Sequence, residues 1–267
     1  MRRSGPLLLT IAAAAAVPLL EPAAGAERIA RAVPDFSGIW AHPYLTGFEP
    51  PASGPGPVRN KSRLPSGVSN FQQLVGDDTN PILKPDAARR VREHGAISLA
   101  GIGYPTPSNQ CWPGGVPYVF WDFLMQMFQQ PHQITMVYRQ SNEVRRVRMN
   151  EPHRASAPSS WYGDSVGHYE GDTLVIDTIG LNTKTFVDNY RTPHSEKLHV
   201  VERWRLIDGG KQIEVHMTID DPETYNQPWQ VIRRYDRDDG ELGENICREG
   251  NFVLFNYGIP IDESPDF

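Results

Sequence analysis

The sequence predicts a mainly β protein: a single up-and-down antiparallel β-barrel with one long insertion. Three observations lead there. From residue 118 onward, runs of alternating apolar and polar residues follow each other at short spacing. Turn sequences separate them, and 23 glycines and 24 prolines suit a turn-rich chain better than a helical one. Eight or nine sequential strands with short links close into a barrel, which removes exposed edges.

Taken in order, residues 1–26 read as a signal peptide. "MRR" is basic, "PLLLTIAAAAAVPLL" is apolar, and "AGA" at 24–26 offers small residues for cleavage after Ala26. No later run is long and apolar enough to span a bilayer as a helix. The expected location is therefore the periplasm or the exterior. Residues 27–267 form the expected single barrel domain. "PDFSGIWAHPY" (34–44) is its first strand, with Gly38 two residues before Trp40. Residues 45–117 read as a Pro/Gly-rich insertion or lid. One short helix is expected inside it, "KPDAARRVREHG", with Pro85 near its first turn and Gly95 at its end. "PTPSNQCWPGGVP" reads as irregular.

The strands then follow as "VFWDFLMQMFQQ", "QITMVYRQ", "EVRRVRMN", "SVGHYEGD", "TLVIDTIGL", "LHVVERWRLID", "KQIEVHMTID" and "WQVIRRYDRD". The tail "NFVLFNYGIPIDESPDF" is expected to pack over the outside. An apolar share of 39% suits one large domain with an insertion, and a formal charge of −6 gives no sign of a nucleic-acid or anionic-membrane partner. Cys111 and Cys247 are the only cysteines. In an exported chain such a pair is expected to bridge, with two buried free thiols as the other reading.

Candidate site residues come from charges that interrupt apolar rows. Strand alternation puts Leu198, Val200, Glu202, Trp204 and Leu206 on one side of their strand. A carboxylate in that row needs a partner, and Arg145, alternating with Val147 and Met149, is of the right type. Two readings stay open: an ion pair that pins strand register, or a polar group in an apolar ligand cavity. Asp177 alternates with Val175 and Ile179, so it too is expected on an apolar side. Glu170 and Asp172 flank Gly171 and read as turn chemistry. His153 and His194 lie near strand ends, His194 beside Ser195 and Glu196, and histidine titrates near neutral pH. No metal-ligand spacing, nucleophile elbow or phosphate-binding loop occurs. Neither a metal nor a cofactor is expected, although His153, His168 and His194 could converge in space. Most aromatics read as core, and a subset facing a cavity, such as Tyr138 and Trp204, would suit an apolar or aromatic ligand.

"PDFSGIW", "QCWPGGVP", "YGDSVGHYEGDTLVIDTIGLN", "PHSEKLHVVERWR" and "IDDPETYNQPW" resemble the hallmark blocks of a widespread, mostly uncharacterised family of exported bacterial proteins. The resemblance spans nearly all of the chain after residue 26. It implies recurrent polar positions at Arg146, His153, Ser165, Glu170, Asp172, Asp177, Asn182, His194, Ser195, Glu202 and Arg203. Tyr169 stands where that pattern has tryptophan. "GIW" also resembles the first-strand Gly-x-Trp of lipocalin-like (calycin-like) barrels. That resemblance implies an arginine late in the barrel, Arg203 or Arg205, packed over Trp40.

The expected function is a cofactor-independent acid–base enzyme of the lyase, isomerase or hydrolase type, acting on a small apolar or aromatic molecule. Glu202, His194, His153 and Asp177 are the candidate catalytic residues. Arg145, Arg146, Arg203, Ser165, Asn182, Ser195, Tyr138 and Trp204 are the candidate binding residues. A non-catalytic carrier of a lipophilic ligand and a structural envelope protein are the alternatives, and the oligomeric state is left open.

Overall fold

Nine strands close into a barrel in the computed structural model, which describes residues 33–247 apart from 44, 46, 103, 104 and 157. They are β1 (Gly38–Ala41), β2 (Leu124–Gln129), β3 (Gln133–Tyr138), β4 (Val144–Met149), β5 (Asp164–Glu170), β6 (Thr173–Ile179), β7 (His199–Ile207), β8 (Gln212–Asp220) and β9 (Trp229–Asp238). Each pairs with its successor, and β9 returns to β1. The segment that reads as a signal peptide and the tail expected to pack over the outside lie outside the described residues. No described helix is long and apolar enough to cross a membrane.

One pair departs from the all-antiparallel expectation. β4 and β5 run parallel, with Val147 opposite Ser165 and Met149 opposite Gly167. The physical reason is the connection. Residues 150–163 contain Pro152 and Pro158 and form no hairpin. A link of that length lets the chain cross over and re-enter in the same direction. The other links behave as expected. At "EGD", Glu170 faces Thr173 across the turn, and Gly171 supplies a φ of 65°.

β1 begins late in its segment. Trp40 is fully buried and its indole N–H donates to the Phe36 carbonyl at 2.8 Å. The guanidinium of Arg237 lies 4.2 Å from the Trp40 ring centroid. Gly38 has a φ of 126°, and a Cβ there would meet Arg237 Nη1 at 2.7 Å. The positive φ calls for glycine, and a Cβ would also push the end of the Arg237 side chain aside. The stacked arginine comes from β9, which is paired to β1. It is neither Arg203 nor Arg205, whose side chains point outward toward Glu170 and Asp172.

The insertion departs from expectation in three places. Helix α1 spans Pro85–Leu99 and does not stop at Gly95. Gly95 is buried against Val75, where a Cβ would meet Cγ1 at 3.1 Å, so this glycine serves packing and not termination. A second helix, α2 (Pro107–Gln110), forms where the sequence reads as irregular. Its capping box pairs Thr106 with Asn109, and a Pro opens it. Tyr118–Trp121 make a 3₁₀ turn instead of beginning β2. There the Asp122 carboxylate accepts from the Gln140 amide at 2.6 Å.

The insertion is fastened to the barrel by backbone and core. Glu49 and Ile232 exchange backbone hydrogen bonds, and the Asn226 side chain donates to the carbonyls of Pro81 and Leu83. Val58, Ile82, Leu83, Ala87 and Val91 are buried in the same apolar core as the barrel. Burying each larger side chain contributes roughly 1.5–3 kcal/mol. Cys111, which ends α2, is bonded to Cys247 with a Cα–Cα distance of 5.6 Å. That bridge suits an oxidising compartment.

Candidate functional site

The apolar row of β7 that carries Glu202 is its interior face: Val200, Glu202 and Trp204 are fully buried. Arg145 is the partner of Glu202. Its Nη2 donates to Oε1 at 2.6 Å and its Nη1 to Oε2 at 3.0 Å. The Trp204 indole N–H donates to the same Oε2 at 3.0 Å. Arg145 also donates to Ser165 Oγ and Thr178 Oγ1, and those two hydroxyls are 2.9 Å apart. Tyr138 is fully buried, and burial, outweighing the charge of Arg145, pushes its phenol above the usual range. Every hydrogen-bonding group of the pair thus has a partner, which is the only way a buried ion pair is tolerated. Among the described residues no histidine hydrogen-bonds Glu202, so Glu202 and His194 do not form an acid–base couple.

Other expected site residues are placed elsewhere. Asp177 lies on the outer face, because Leu174, Ile176 and Thr178 are the β6 residues opposite inward-facing Trp204, Glu202 and Val200. Asp177 Oδ1 is shared by His199 Nε2 at 2.8 Å and His153 Nε2 at 3.1 Å. His153 Nδ1 lies 3.1 Å from Asp164, which also takes Arg148. Burial pushes Asp177 up, but the bonds from the two histidines outweigh it, and its net pKa is lowered. Asp177 holds His199 above the ordinary histidine value. Arg146 and Arg203 are exposed, and Arg203 pairs with Glu170 at 2.6 Å. Asn182 caps its own loop by accepting from the Lys184 amide.

His194 presents the chemically open group. Its loop is pinned by Ser195, whose N–H and hydroxyl both donate to Asp221 at 2.6 and 2.8 Å. His194 is 7% exposed. Its Nδ1 lies 3.0 Å from the Ser195 carbonyl oxygen, which can only accept, so this hydrogen bond assigns the proton to Nδ1. Burial lowers its pKa, keeping the ring neutral. Nε2 then carries a lone pair and is buried with no hydrogen-bond partner among the described residues.

The ring borders a cleft of about 700 Å³ between α1 and the 183–195 segment. Arg89, Arg90 and Lys184 bring positive charge to it, and Glu93 is the single carboxylate among its lining residues. Arg89 pairs with Glu93 at 2.9 Å, and Arg89 and Arg90 also hold Asp86; all three pairs are exposed, contribute little and can be redirected. Trp112 and Phe186 supply aromatic surface. His94, on α1, is a second neutral imidazole: burial, helped by the charge of Arg191, lowers it to about 4. Its ring meets Phe186 edge-on at 5.8 Å.

Sequence reasoning picked out His194 and Ser195 but missed His94, Phe186 and the cations. The helix and the 183–195 segment carry no shared pattern, and only folding brings them together. His153, His168 and His194 keep different partners, and no group of His, Cys, Asp and Glu able to hold a metal occurs among the described residues. The chain matches no family model and no curated protein, so the reading of the site rests on this geometry.

Proposed function

We propose that the protein binds a small anionic molecule with an aromatic or apolar body in the α1 cleft and that His194 acts there as general base. The observation that carries the reading is His194 Nε2: buried, neutral, oriented through Nδ1, and without a partner among the described residues. A fixed imidazole lone pair at a cleft is suited to accepting a proton from bound substrate. The cations of the rim would hold the substrate anion and stabilise developing negative charge. The reaction class stays lyase, isomerase or hydrolase without a redox cofactor, and the chemistry moves from Glu202 to His194. A carrier role is the second reading. It is favoured by the lack, among the described residues, of a hydrogen-bonded acid or nucleophile on His194.

The test is incubation of the mature protein with the small-molecule fraction of the source cells, followed by mass spectrometry of both retained and consumed compounds. Wild type should consume an anionic compound that His194→Gln leaves intact. Retention of an unchanged compound by both proteins would establish the carrier. Identical, empty profiles would remove the cleft from consideration.

A further inference from the structure

The alternation that exposes Glu202 recurs on β9. Trp229, Val231, Arg233 and Tyr235 all face inward and are 0% exposed. Arg233 differs from Arg145 in forming no ion pair among the described residues. Among the described residues its Nε and Nη1 are buried without hydrogen-bond partners, and so is the Tyr235 hydroxyl. The nearby carboxylate, Glu49, is taken by Arg234, and Glu202 is taken by Arg145. A guanidinium stays charged at any accessible pH, and a buried charge needs an ion or several dipoles to offset its lost hydration.

The position of Arg233 supplies a route in. Its guanidinium lies 5.0 Å from the centroid of the Phe48 ring. The same Phe48 lines a surface cleft of about 290 Å³ together with Val58, Tyr190, Arg59, Arg63 and Glu49, the last already paired with Arg234. Arg59 and Arg63 form no ion pair among the described residues, and Glu49 is neutralised by Arg234, so the cleft carries a net excess of positive charge. One phenyl ring thus separates a basic cleft from a buried, uncompensated cation.

We propose that Arg233 anchors a second ligand site, which takes an organic monocarboxylate through the Phe48 cleft. The charge dictates a monoanion, since one cation can neutralise only one. The walls dictate an organic acid, since Phe48, Val58 and Tyr190 would face its body. The open donors of Arg233, with the Tyr235 hydroxyl, would receive the carboxylate oxygens. The site stands apart from the His194 cleft and does not depend on its chemistry.

Acetate, hexanoate and phenylacetate are the probes, with phenylacetamide as the uncharged control, each titrated into the full mature protein while its melting temperature is followed. At least one acid should raise it saturably, the amide should not, and Arg233→Met should lose the response while His194→Gln keeps it. A response lost in His194→Gln would place the probe in the other cleft and overturn the proposal. So would equal responses in wild type and Arg233→Met, or none with any acid. If Arg233→Met fails to fold, the Arg233 Nε–Hε resonance of the wild type decides. It should move with the acid and not with the amide, and a resonance unmoved by all three acids means that internal water alone satisfies the guanidinium.

Discussion

Replacing Glu202 by Gln removes one charge and leaves the shape almost unchanged. In the wild type the carboxylate takes two guanidinium N–H groups and an indole N–H, all fully buried. Gln offers one acceptor oxygen and turns an NH₂ group toward Arg145 or Trp204. Breaking one partner of such a pair costs about 3–5 kcal/mol, because the other charge stays buried and unmatched. At roughly 2–4 °C per kcal/mol for a domain near this size, the melting temperature should fall by roughly 6–20 °C. The double variant Arg145→Met/Glu202→Leu should recover most of that loss, since an apolar pair of similar volume removes both desolvation penalties. Thermal and urea melts of the four proteins measure the coupling directly. A loss under about 1 kcal/mol in Glu202→Gln, or a double variant as unstable as the two singles summed, would refute the pairing argument.

Three further outcomes are expected. The bond to Asp177 raises His199 above its ordinary 6.5, so its contribution is complete below pH 6.5 and fades as pH rises through the raised value. The lowered Asp177 keeps its contribution above its ordinary 3.8 and loses it only as pH falls through the depressed value. Both groups are more than a third exposed, so urea melts of Asp177→Asn should show a loss under about 1 kcal/mol near pH 5 that shrinks above pH 7. Gly38→Ala should cost about 1–3 kcal/mol, because alanine is strained at a φ of 126°, and it should weaken the Arg237–Trp40 stacking seen in tryptophan fluorescence. Cys111→Ser/Cys247→Ser, which opens a covalent loop spanning 136 positions, should lower stability by about 2–5 kcal/mol in denaturant titrations.

Local pattern made much of the barrel legible. A period of two in "LHVVERWRL" put Glu202 in an apolar row and pointed to an arginine such as Arg145; closure of the barrel turned that row inward. The turn residues of "EGD" placed one hairpin. The same rule applied to "WQVIRRYDRD" reveals Arg233 between Val231 and Tyr235; two adjacent arginines masked it, since only one of them belongs to the apolar row. Where a strand is apolar on both sides the rule has no force. In "TLVIDTI" Val175 and Ile179 drew Asp177 to an apolar side, but register with β7 turned Leu174, Ile176 and Thr178 inward. The parallel β4–β5 pair, the source of the arginine over Trp40, and the joining of α1 to His194 were likewise decided in three dimensions. Each depends on which distant segments lie side by side once the barrel closes, and alternation along a strand records only which residues share a face, not which neighbour that face meets.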